Sequence, residues 1–248
     1  MQIQSLKEVK RTDNWRICIY GKPGVGKTTA IKYLKGKTLI LAFDNSTKVI
    51  AGFNADFIDF DRREPSQQAA DFIKFLKENY KNYDNLVLDN ISSFEKDWFI
   101  EQGRNSKSGI RNELQDYSAW TNYFLRFISA VYIYPINILV TAWEKQVPVT
   151  TESGQQFNQY APEIRDSVRN TFMGLTDIVG RMVAKPQTGE RGVILEGNDG
   201  IFAKNRLDNR KGCKIEDLFK FGGDENVSTV SVSAKTSQSS KAETSSGK

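Results

Sequence analysis

The stretch "IYGKPGVGKTTAIKYL", Ile19–Leu34, decides the fold. An apolar run, "RICIY", leads into it, and a helical pattern over 27–35 follows. Between them, Gly21 to Thr28 spell G-x-x-x-x-G-K-[ST]. After a strand and before a helix, that spacing is a phosphate-binding loop. Glycines let the backbone curl with its N–H groups pointing inward, where side chains would block a phosphate. The following helix N-terminus adds a favourable dipole. Gly21, Lys22, Pro23, Gly24, Val25, Gly26, Lys27, Thr28 and Thr29 are therefore expected to line an ATP site. Lys27 would reach the β- and γ-phosphates, the Thr28 hydroxyl would bind Mg²⁺, and Thr29 would approach the α-phosphate.

A second acid is expected at the tip of a central strand, and "NLVLD" ends on Asp89, the expected Mg²⁺-site carboxylate. Asn90 follows it, so a carboxylate that orients the attacking water must come from elsewhere. Asp44 is the first choice, at the end of "TLILAF", a strand expected to lie beside the phosphate-loop strand. Glu144, after "LVTAW", is the second choice and Glu95 the third. Asp44 reads equally as a turn-starting residue before "NST". Thr141 ends "NILVTA"; its hydroxyl reads as a γ-phosphate sensor or as a plain buried threonine.

Further continuous apolar runs occur at 38–43, 56–60 and 136–142, and amphipathic patterns at 65–80, 92–102, 113–134 and 163–173. Strands alternating with helices predict an α/β fold, a mostly parallel sheet with helices on both faces. "EKQVPVTTESGQQFNQYAP" reads as a long hairpin or a mobile loop. "DIVGRMVAK", "RGVILEG" and "IFAKNRL" read as C-terminal antiparallel strands. Residues 1–14 form an irregular lead-in, 15–223 one ATPase domain, and 224–248, rich in Ser, Thr and Lys, a disordered tail.

The 248 residues carry 39% hydrophobic side chains, enough for a packed core, and a formal net charge of +5 that permits a phosphate-rich partner. No histidine is present, which removes every imidazole base, ligand or triad. Cys18 and Cys213 stand far apart, against a disulfide framework and for a reducing compartment. Neither a signal peptide nor a membrane span is legible, so no membrane partner and a cytoplasmic location are expected.

The pieces "GKPGVGKTT", "LILAFD", "LVLDNISSFEKDW", "ILVTAWEK", "LTDIVGRMV" and "FAKNRL" together resemble the RecA-like P-loop NTPase core. More narrowly, they resemble the phage-encoded RecA-like nucleotide-binding proteins that act in recombination or single-strand annealing. The resemblance implies ATP and Mg²⁺ as cofactors and DNA-dependent ATPase activity in a host cytoplasm. Its implied partners are single-stranded DNA, further copies of the chain in an oligomer or filament, and a single-stranded DNA-binding protein. It implies DNA contacts from two loops, "GRNSKSGIRN" and "EKQVPVTTESGQQFNQYAP", hence from Arg104, Lys107, Arg111 and Lys145. A flexible basic loop suits phosphate contacts on its own account, and equally a solvated surface. Phe157 and Tyr160 are candidates for stacking on bases, whereas Tyr117, Trp120, Phe124, Phe127 and Val131 recur at core spacing. In RecA-like filaments a neighbour's cations complete the ATP site. Lys204 and Arg206, two apart and so on one face of a strand, are the candidates here, with Arg181 behind them. Against this stand a small-molecule P-loop kinase, a ParA- or MinD-like ATPase (for which Lys22 is the signature position) and a helicase-loader ATPase.

Overall fold

The apolar run that enters the phosphate loop forms β1 (Arg16–Gly21). Along the chain follow β2 (Thr38–Ala42), β3 (Asp56–Asp59), α1 (Pro65–Asn79), β4 (Asn85–Asp89) and α2 (Ile91–Asn105). Next come α3 (Leu114–Tyr132), β5 (Asn137–Thr150), β6 (Gln156–Pro162) and α4 (Asp166–Leu175). Shorter strands close the chain: β7 (Ile178–Ala184), β8 (Arg191–Ile194), β9 (Lys204–Asn205) and β10 (Gly212–Lys214). The computed structural model describes residues 5, 7, 8, 10, 12–44, 46–150 and 153–221. The tail expected over 224–248 lies outside the described residues, as do the last two positions of the domain expected over 15–223.

The sheet runs β10-β8-β7-β1-β5-β4-β2-β3. From β7 to β3 every pairing is parallel. This order corrects one expectation. β2 does not lie beside the phosphate-loop strand; β5 and β4 stand between them. β7 also differs from its reading, because it joins the parallel core against β1 and is antiparallel only to β8 and β9.

Burial explains why the core strands read as continuous apolar runs. Successive side chains alternate between faces, and both faces are covered. Cys18, Tyr20, Leu39, Leu41, Leu86, Leu88, Ile138 and Val140 point to one side, with α1–α4 packed over them. Ile17, Ile19, Ile40, Val87 and Leu139 point to the other. The cover there is unequal to the first. It consists of short 3₁₀ turns and the C-terminal segment, through Ala30, Ile31, Leu34, Ile50, Ile215 and Leu218. Under the helices Phe43 stacks on Phe94 at 4.7 Å between centroids, and Phe94 meets Phe127 at 5.2 Å. Trp120, Phe124, Phe127 and Val131 are core residues, as their spacing predicts, whereas Tyr117, read with them, is exposed near the start of α3.

Two features went beyond local pattern. The Arg16 guanidinium donates to the carbonyls of Tyr132 (2.8 Å), Tyr134 (2.7 Å) and Ile136 (2.7 Å). It thereby caps the end of α3, whose last carbonyls have no partner within the helix. The strand expected over 136–142 continues to Thr150 as the first arm of a ribbon, antiparallel to β6 from Glu144↔Pro162 to Thr150↔Gln156. Of the two readings left open, the hairpin is the one the chain adopts. Its polar sequence suits a two-stranded ribbon that leaves the sheet and meets solvent.

Candidate nucleotide site

β1 hands the chain to the loop at the carboxyl end of the sheet. Gly21 admits no side chain, because a Cβ there would lie 2.7 Å from the Met182 carbonyl oxygen. Gly26 has φ +104°, a left-handed conformation that side chains rarely adopt. Beyond the loop the expected helix over 27–35 is shorter and tighter: a 3₁₀ helix spans Thr28–Tyr33. The Ala30 amide is shared between the carbonyls of Gly26 and Lys27, both at 3.1 Å, the bifurcation common at helix ends. Lys22, Pro23 and Gly24 are exposed, and Val25, Thr28 and Thr29 half-buried.

Lys27 is 7% exposed, and its ammonium donates to the carbonyls of Gly21 and Lys22, each at 2.9 Å. Burial lowers its pKa, opposed by the carboxylates of Asp89, Asp44 and Glu144. Lys27 is thus held inside the loop and faces three acids.

Asp89 gathers hydroxyls from three other segments. Thr28 Oγ1 donates to Oδ2 at 2.7 Å and Ser46 Oγ to the same oxygen at 2.9 Å, while Thr141 Oγ1 bonds Oδ1. Strand order makes this possible. β5 lies between β1 and β4, with Thr141 level with Ile19 and Val140 level with Leu88, so Thr141 reaches sideways to Asp89. Thr141 is fully buried in that contact. Ser46 was missed in the sequence, where nothing marks it apart from following Asp44 by two residues.

Asp44 reaches the same place by a different route from the one expected. β2 pairs with β4 in a register that sets Ala42 opposite Asp89. Asn90 Nδ2 donates to Asp44 Oδ2 at 2.5 Å, while Asn90 Oδ1 accepts from the Ser93 amide at 2.9 Å and caps α2. The residue that stands where an acid was sought therefore holds the acid from the neighbouring strand. Burial raises the Asp44 pKa, with the Ser46 hydrogen bond working against it and the charge of Asp89 adding to it.

Glu144 lines a cleft of about 400 Å³ with Lys22, Pro23, Gly24 and Val25. Its Oε2 accepts from Arg181 Nε at 3.0 Å, and both side chains are largely buried. The Arg181 guanidinium also lies 3.5 Å from the ring centre of Tyr160 on β6. Arg181 thus belongs to the chain's own loop, which no sequence signal indicated. Glu95 faces elsewhere: it accepts from the Arg165 amide at 2.8 Å and lines a groove beside Lys145 and Asp166.

The remaining candidates lie apart from the loop. β9 ends at Asn205, so Lys204 and Arg206 do not share a strand face as expected. Lys204 donates to the Gly174 carbonyl at 3.3 Å and to that of Met173, at the end of α4. Burial, with the charge of Arg206 adding to it, pulls the Lys204 ammonium down to about 8. Arg206 is exposed, and its amide donates to the carbonyl of Asp177, just before β7 and so at the end of the sheet away from the loop. Arg104 is exposed at the end of α2 and donates to the Arg63 carbonyl. Lys107 and Arg111 are exposed in the segment between α2 and α3. Lys145 pairs with Asp166 at 2.9 Å. Tyr160, offered for base stacking, is covered by Arg181 instead, and Phe157 is half-buried in the ribbon.

A Gly-rich loop after β1, a lysine folded into it, and an acid on a non-adjacent parallel strand bonded to the loop threonine define a P-loop NTPase. The chain belongs to the AAA domain family, whose model matches residues 13–207. No curated protein matches it in sequence. Among solved structures, a KaiC-like protein from the hyperthermophilic archaeon Pyrococcus horikoshii OT3 is similar at 13% identity and TM-score 0.45, over 79% of this chain and 83% of that one. The RadB recombinase is similar at 12% identity and TM-score 0.48, over 82% of this chain and 87% of that one. No described helix is long and apolar enough to cross a membrane.

The donor set suits Mg²⁺ held together with nucleotide. Among the described residues no group of three or more acids, cysteines or histidines is placed to hold a metal. A magnesium ion that keeps several waters and takes phosphate oxygens needs only one or two carboxylates from a protein, and Asp89, with the Thr28 and Ser46 hydroxyls beside it, fits that need.

Proposed function

We propose that the protein is an ATP-binding and ATP-hydrolysing DNA recombination protein that binds single-stranded DNA and promotes annealing or strand pairing as an oligomer or filament. The observation that carries the nucleotide half is the 2.7 Å bond from Thr28 to Asp89, made within a cluster that also holds Ser46 and Thr141. Thr28, Ser46 and Asp89 would hold Mg²⁺, which supplies charge neutralisation at the β- and γ-phosphates. Lys27, released from the two loop carbonyls, would move its ammonium to the phosphates. Asp44, oriented by Asn90, would hold the attacking water; Glu144, tied to Arg181, is the alternative. Arg206, with Lys204, would reach a neighbouring copy's site.

The DNA half rests on the resemblance and on the exposed Arg104, Lys107 and Arg111. Each phosphate contact strengthens binding at low salt. Steady-state ATP turnover, measured with and without single-stranded DNA and alongside electron microscopy of the same samples, tests the whole reading. Turnover should rise with DNA and with protein concentration, fall with salt, and accompany visible assemblies. Turnover of an added nucleoside or metabolite, indifferent to DNA, would favour a kinase instead.

The two carboxylates are told apart by mutation. A water-orienting acid acts in the transition state, so Asp44→Asn should lower kcat by roughly 10²-fold or more and change nucleotide affinity little. Normal turnover in Asp44→Asn, with Glu144→Gln inactive, would move the role to Glu144.

A further inference from the structure

We propose that Arg191, on β8, is a nucleotide-binding residue of this chain's own phosphate loop, contacting the α- and β-phosphates. The proposal rests on the nucleotide reading above and extends it to a residue far from the motif in sequence. Besides the exposed Lys22, three cations lie against the loop or its cleft. Lys27 is bonded to the Gly21 and Lys22 carbonyls, and Arg181 is paired with Glu144. Arg191 is the third. A methyl group on Gly26 would lie 2.7 Å from its Nη1, 2.9 Å from its Cζ and 3.0 Å from its Nε. Those near-equal distances set the guanidinium broadside against the glycine, in the room a side chain would fill.

The register explains how it arrives there. Tyr20 of β1 pairs with Arg181 of β7, and Ala184 of β7 pairs with Arg191 of β8. The hairpin therefore carries Arg191 past the carboxyl end of the sheet and over the loop. Its charge is unanswered: among the described residues no carboxylate forms an ion pair with it. The adjacent Glu190 is held by Lys185 at 2.7 Å and Lys214 at 3.0 Å. A half-buried guanidinium without an anion loses solvation and gains nothing in return. A phosphate would supply two parallel charge-assisted hydrogen bonds.

Position selects which phosphates. The backbone of such a loop cradles the α- and β-phosphates, and its lysine reaches on to β and γ. A cation at Gly26, one residue before Lys27, serves the part of the nucleotide that ATP and ADP share. Arg191 accordingly acts on affinity for both nucleotides and leaves the chemical step to other residues.

Titration calorimetry with ATP and ADP, on the full chain and on Arg191→Gln and Arg191→Lys at two salt concentrations, tests this. Arg191→Gln should weaken both nucleotides by about 10- to 100-fold and flatten the salt dependence. Arg191→Lys should recover part of the loss, as a point charge without the fork. Wild-type affinity for both nucleotides in Arg191→Gln, with binding still lost in Lys27→Ala, would overturn the proposal and leave the nucleotide reading standing. A loss confined to ATP would overturn the placement at the α- and β-phosphates. Equal losses in Gln and Lys variants, with early thermal melting of both, would make Arg191 a packing residue and overturn it too. A wild-type chain that binds neither nucleotide would remove this proposal and the nucleotide reading together.

Discussion

Lys27→Ala should abolish ATP turnover and weaken ATP binding while the protein stays folded. The lysine is the one loop cation whose ammonium is already inside the loop, bonded to the Gly21 and Lys22 carbonyls. Burial works against its charge, and Asp89, Asp44 and Glu144 work for it. Once it is gone, three acids face the incoming phosphates with no lysine between them. A preorganised donor aimed at developing charge is worth roughly 10²- to 10³-fold in rate in comparable sites. The lost lysine also removes ground-state binding, so kcat/KM falls by more than kcat. Circular dichroism and melting of the apo protein check the fold, and a coupled phosphate-release assay checks turnover. Equal ATP turnover in mutant and wild type would refute the phosphate-loop assignment.

The second large effect belongs to Arg206. It is exposed beside the start of β7, whereas the loop lies at the opposite end of the sheet. It cannot reach the nucleotide of its own subunit, so any action on the γ-phosphate is in trans. A cation supplied by a neighbour to a P-loop site raises turnover on the order of 10³-fold or more. DNA-stimulated turnover should therefore collapse in Arg206→Ala, while the isolated subunit binds nucleotide normally. Mixing experiments separate this from misfolding. A subunit with Lys27→Ala but an intact Arg206 should activate an Arg206→Ala neighbour, because each supplies what the other lacks. If turnover per subunit is independent of protein concentration and of DNA, and Arg206→Ala is silent, the trans site is wrong. Lys204 is the weaker of the pair, since its ammonium is occupied with the last carbonyls of α4.

Some of this was legible in the residues alone. Gly21–Thr28 carries its meaning in contiguous spacing, because the loop's chemistry is a property of one short backbone. Asp89 was legible because a buried strand of apolar residues that ends on an acid is also a local pattern. The parallel sheet followed from continuous apolar runs, which strands covered on both faces must have. What surrounds the phosphate loop was decided by the fold. The insertion of β5 between β1 and β4 sets Thr141 against Asp89 and moves β2 away from β1. That same order brings Asp44 to Asn90, a contact 46 residues apart in sequence, and Ser46 to Asp89, 43 apart. Glu144 meets Arg181 across 37 residues, and Arg191 covers Gly26 from β8, two strands away from β1. None of these pairs leaves a periodicity or a spacing behind. A single hydrogen bond or ion pair between distant segments constrains only two side chains, whereas a helix face or a phosphate loop constrains a run of them. The sequence therefore determined the nucleotide loop and the class of fold. Only the tertiary structure decided which acids, hydroxyls and arginines stand around that loop.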